Sequence, residues 1–133
     1  MQNLTHAVVW IDHKEARIFH FNAETEEHLL LHPQNHRKMH LHHKANSIGG
    51  GHSKEDHAYL QSVSEAIGDA KAVLVCGPAN EKTELVKHIG AHVPALKSKI
   101  KGVEPLNHPT DGELLAHARK FFAADHMLPP RIS

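Results

Sequence analysis

Five consecutive apolar residues, Ala72-Val73-Leu74-Val75-Cys76, constrain this chain more than any other stretch. A run this short, partly β-branched and stopped by Gly77-Pro78, reads as a strand covered on both faces. Such cover requires helices on either side of a sheet, and the flanks supply candidates. Upstream, Ser53 and Asp56 mark a helix start, Tyr59, Leu60, Val63, Ala66 and Ile67 form an apolar stripe, and Gly68 is a stop. Downstream, Asn80 is placed to cap a second helix carrying Leu85, Val86 and Ile89. A short basic piece from Lys97 to Lys101 then leads into a last strand at Gly102-Val103-Glu104. Thr110 with Glu113 forms a capping box for a final helix with Leu114, Leu115, Ala118, Phe121 and Phe122 on its apolar face.

The first third reads as strands instead. Ala7–Ile11, Ala16–Phe21 and His28–His32 are short runs separated by polar turns, the pattern of an antiparallel meander. Residues 33–52 have little apolar content and no periodicity, so they form the longest candidate loop, Gly- and His-rich. The order βββ, long loop, αβαβα predicts one mixed-sheet α/β domain over residues 1–133. That length can bury a real core without staples. No apolar run approaches the roughly 20 residues of a membrane span. The N-terminus lacks a basic start and a small-residue cleavage site. Cys76 stands alone and has no partner for an internal disulfide. These features predict a cytoplasmic protein with no membrane partner.

Two stretches carry a family resemblance. The first is Ala72 to Leu85, a strand, a small-residue Gly turn, then Lys82 and Glu84 opening a helix, followed by Leu96-Lys97-Ser98-Lys99-Ile100. The second is the tip Gly49-Gly50-Gly51-His52 ahead of the helix from Ser53. With the order of elements from about Ala7 to Phe122, the chain resembles the middle domain of archaeal and eukaryotic class-1 peptide chain release factors and of the related rescue factor Pelota. The resemblance implies a ribonuclease H-like fold and a site of action near the ribosome or tRNA. His52 stands where the family has the glutamine of its Gly-Gly-Gln tip, so release activity is not implied. Nothing here corresponds to the family's stop-codon-reading domain or to its GTPase-recruiting domain.

The loop supports two readings of its own. Gly49, Gly50 and Gly51 let the backbone approach RNA closely, while Arg37, Lys38 and Lys44 are candidates for phosphate contacts and His52 for added charge or stacking. The alternative is a histidine-rich metal-binding or protein-interaction domain. The chain holds 16 histidines against 15 basic and 15 acidic residues, so it is neutral at pH 7 and becomes strongly basic on mild acidification. His28, His32, His36 and His40 recur every fourth residue, and His40-Leu41-His42-His43 adds an H-x-H pair. His36, His40, His42 and His43 are therefore candidate ligands for zinc or nickel. Asp12 stands where ribonuclease H-like nucleases hold a metal-binding aspartate, but the central apolar strand ends in Cys76-Gly77 with no acid, so Asp12 is expected to be a turn residue. Cys76 is expected to be a buried, inert thiol. Lys97, Lys99 and Lys101 are expected on an edge strand or exposed turn.

Overall fold

A computed structural model of the chain describes residues 4–33 and 54–124. Strands β1 (His6–Ile11), β2 (Ala16–Phe21) and β3 (Glu26–Leu31) are followed by helix α1 (Lys54–Ile67) and strand β4 (Ala72–Gly77). Helices α2 (Glu81–His92) and α3 (Pro94–Lys97), strand β5 (Ile100–Pro105) and helix α4 (Asp111–Ala124) complete them. The sheet runs β3-β2-β1-β4-β5, with β1–β2 and β2–β3 antiparallel and β1–β4 and β4–β5 parallel.

Strand β4 lies inside the sheet with every residue buried, as five consecutive apolar residues demand. The two-residue side-chain period divides the core into two layers. Ala7, Val9, Ile11, Val73 and Val75 pack under α1 and α2 with Leu60, Val63, Leu85 and Ile89. Val8, Trp10, Leu74 and Cys76 pack under α4 with Leu114, Ala118 and Phe122. Gly102 permits the second layer to close, since a Cβ there would stand 2.8 Å from Phe121 Cζ.

Local chemistry sets the boundaries. Helix α1 ends at Gly68, whose φ of 63° is left-handed and suits a residue without a Cβ. The capping box at α4 forms in both directions: Glu113 N donates to Thr110 Oγ1 at 3.1 Å, and Thr110 N donates to Glu113 Oε1 at 2.9 Å. Asn80 differs from its expected role, because its side chain caps nothing. Its carbonyl accepts from Thr83 N and Glu84 N instead. The stretch before β5 also differs: Pro94 opens a short helix, and the strand is longer than Gly102–Glu104. Ser53 lies outside the described residues.

Candidate functional site

Strands β1, β4 and β5 are parallel, so their carboxyl ends share one end of the sheet, where open α/β sheets place ligands. Both flanks of the stretch 34–53 reach this end. His32 Nδ1 lies 3.4 Å from the Lys14 carbonyl in the β1–β2 turn, and Tyr59, near the start of α1, donates from its hydroxyl to the Asp12 carbonyl at 2.8 Å. Every loop residue expected to touch RNA, namely Arg37, Lys38, Lys44, Gly49, Gly50, Gly51 and His52, lies outside the described residues. So do the candidate ligands His36, His40, His42 and His43.

Asp12 is the turn residue its position predicts. Its Oδ1 accepts from Lys14 N at 2.8 Å and Glu15 N at 2.9 Å, and its Oδ2 stands 3.6 Å from His108 Nε2. No second acid fits beside it at the end of β4. A Cβ at Gly77 would lie 2.3 Å from the Ile11 carbonyl oxygen, inside any permitted contact. A carboxylate at position 77, next to Asp12 at the end of the neighbouring strand, is therefore sterically barred. Cys76 offers no nucleophile: burial, with Glu104 adding, pushes its thiol up to about 12. Burial, with Glu81, Asp12 and Glu15 adding, also raises the Tyr59 phenol far above its ordinary range, so it is a neutral donor. Those three carboxylates stand around Tyr59 at this end, with Lys82 also near the end of β4.

On the α4 side, Trp10 is fully buried and its Nε1 donates to the Leu106 carbonyl at 3.0 Å. The Arg17 guanidinium lies 4.5 Å from the Trp10 ring centroid and donates from Nη1 to the Pro109 carbonyl at 2.8 Å and Asp111 Oδ1 at 2.9 Å. These bonds tie the β5–α4 connection, with His108, to the β1–β2 hairpin. They hold the rim of the site and bring no reactive group to it.

Sequence reasoning passed over one cluster. His57 on α1 and His88 on α2 have ring centroids 6.2 Å apart, and His88 and His92, one helical turn apart, stand at 4.4 Å. The i,i+4 spacing of His88 and His92 was the available signal. His88 Nε2 donates to Gln61 Oε1 at 2.8 Å. Among the described residues, no three His, Cys, Asp or Glu side chains could hold a metal ion. Burial, then His92 and His57, lowers the His88 pKa. The unfolded chain therefore takes up this proton first, so stability is complete above the ordinary histidine range near about 6.5 and declines as pH falls through it. The melting temperature should drop from pH 7 to 5, and His88→Gln should flatten that slope. An unchanged slope would show that His88 does not carry this dependence.

The strand order, with helices on both faces, defines a ribonuclease H-like α/β fold. Neither a family model nor a curated protein matches the sequence. Solved structures do match the fold. Thermoplasma acidophilum Pelota superposes with a TM-score of 0.60 at 14% identity, over 92% of this chain and 34% of that one. Saccharomyces cerevisiae Dom34, described as a translation termination-like factor involved in RNA quality control and interacting with Hbs1, gives 0.63 at 8% identity, over 94% and 35%. The archaeal translation termination factor aRF1 gives 0.52 at 13%, over 91% and 41%. The chain thus spans between 34% and 41% of the length of these proteins. The resemblance read from the sequence matches these structural neighbours. Among the described residues no helix is long and apolar enough to cross a membrane.

Proposed function

We propose that this chain is a translation-associated module that contacts ribosomal RNA or tRNA through Gly49–His52, with Arg37, Lys38 and Lys44 on phosphates and without release activity of its own. The observation that carries this reading is the fold shared with Pelota, Dom34 and aRF1 over more than nine tenths of the chain. The position of His32 and Tyr59, which flank residues 34–53, at the carboxyl end of the sheet supports it. Three phosphate contacts release about two to three counterions, so association should weaken as salt rises. It should strengthen towards pH 6 as histidines gain charge. The test is sedimentation with purified ribosomes at two salt concentrations, comparing wild type with a Gly50→Val, Gly51→Val variant. Wild type is expected to pellet at low salt and the variant to stay in the supernatant with its fold intact. If neither pellets, the reading fails. Peptidyl-tRNA cleavage that is lost in His52→Ala would replace it with an esterase.

A second reading, zinc or nickel binding by the tract His36, His40, His42 and His43, rests on the spacing of those imidazoles. Stoichiometric zinc binding that raises the melting temperature would support it, because a ligand of the native state stabilises by mass action. Weak binding of several equivalents with no thermal shift would leave an adventitious tract.

A further inference from the structure

The opposite end of the sheet carries lysines at its strand starts. Lys71 precedes β4, and its N–H donates to the Thr5 carbonyl at 2.7 Å. Lys99 precedes β5, and its carbonyl accepts from Val73 N at 2.9 Å, so these two lysines flank one pair of strand starts. Neighbouring strands lie about 4.8 Å apart. Lys101 is the extra residue of a β-bulge, because Ile100 pairs with Val73 and Gly102 already pairs with Leu74. Bulges re-aim a side chain out of the ladder, and Lys101 is exposed. Lys97, on α3, runs its stem past Gly90, with Cδ and Nζ each 3.8 Å from where a Cβ would be. None of the four makes a side-chain ion pair among the described residues. Asp69 is the nearest carboxylate along the chain.

We propose that Lys71, Lys97, Lys99 and Lys101 form a second RNA-binding surface, a phosphate-contacting rim at the amino-terminal ends of β4 and β5. The proposal rests on the translation reading for its biological partner. Its chemistry rests on the unpaired lysines. A row of point charges on long stems fits a repeating anionic backbone, whereas a protein hot spot needs a packed aromatic or arginine anchor. A six-residue strand rises about 20 Å. The rim therefore stands roughly that far from the carboxyl end of the sheet, where His32 and Tyr59 lie, so contacts at both ends would span a folded RNA rather than a single nucleotide.

Single-stranded RNA gives a salt slope of about 0.7 per phosphate contact, so the four lysines contribute a slope of about 3. The full-length protein and a variant with Lys71→Gln, Lys97→Gln, Lys99→Gln and Lys101→Gln are titrated with fluorescein-labelled poly(U), and both are sedimented with purified ribosomes. Raising salt fourfold should weaken wild-type binding to poly(U) roughly 50-fold more than it weakens binding of the variant. Equal melting temperatures confirm the variant's fold. If the fourfold variant fails to fold, the single Lys101→Gln change should still lower the slope by about 0.7. Identical slopes for wild type and variant, or no binding of poly(U) by wild type, overturn the rim. If the variant instead self-associates while RNA binding is unchanged, the lysines only guard the edge strand, and the rim again falls. Tighter binding to poly-glutamate than to poly(U), lost in the variant, would assign the surface to an acidic protein and overturn the RNA proposal. Wild type that pellets with ribosomes despite identical poly(U) slopes keeps the translation reading and sinks the rim. Lysine-dependent poly(U) binding without ribosome pelleting does the reverse.

Discussion

Gly77→Ala is expected to destabilise the protein by about 3 kcal/mol or more, enough to threaten folding of a domain of ordinary stability. The cause is backbone against backbone. The added methyl would meet the Ile11 carbonyl oxygen at 2.3 Å, and neither strand can withdraw without opening the β1–β4 ladder beneath both helical layers. Gly102→Ala is the internal comparison. Its methyl would meet the Phe121 ring edge at 2.8 Å and Leu74 Cδ1 at 3.1 Å, both side-chain atoms. Those side chains can shift, so about 1 kcal/mol is expected. Urea titration at constant m-value separates the two. Equal midpoints for wild type and Gly77→Ala would mean that the strands do not approach so closely. The same contact bears on function, because an aspartate at position 77 meets the oxygen before its carboxylate is placed. An acid beside Asp12 at this strand end is closed off by packing, not only by the choice of residue.

Residues whose role depends on local pattern are legible in the sequence. The apolar run Ala72–Cys76 demanded an internal strand, Gly68 marked a helix stop, and Thr110 with Glu113 announced a capping box, because each signal lies within a few neighbouring residues. Asp12 was recognisable as a turn residue for the same reason. Long-range contacts were not legible. Nothing local to Gly77 announces Ile11, which lies on another strand, and nothing local to Arg17 announces Pro109 and Asp111. Asn80 misled because a good capping side chain stands where the backbone carbonyl alone does the work. The short helix at Pro94 was passed over because four residues carry no periodicity, while proline is well suited to a first helical turn. As for the site, the sequence singled out residues 36–52, and the described fold contributes the end of the sheet that the flanking His32 and Tyr59 reach.

Trp10→Ala should cost about 3–5 kcal/mol, the range for emptying a fully buried large aromatic site. The loss has separable parts, and Trp10→Phe distinguishes them. Phenylalanine keeps most of the ring against Leu114 and Phe122 but has no N–H for the Leu106 carbonyl, so about 1–2 kcal/mol is expected for the unmade bond. The indole is also the surface over which the Arg17 guanidinium lies at 4.5 Å, with its other bonds running to Pro109 and Asp111. With the ring removed, that guanidinium loses its platform in a half-buried position, and the β5–α4 connection loses two attachments together. Trp10→Ala and Arg17→Met should therefore be non-additive, with the double variant less destabilised than the sum of the singles, as contacting residues behave. Additive losses in a double-mutant cycle measured by urea unfolding would show that Trp10 acts through volume alone. In that case the ring would not be what fixes His108 and the rim of the sheet's carboxyl end.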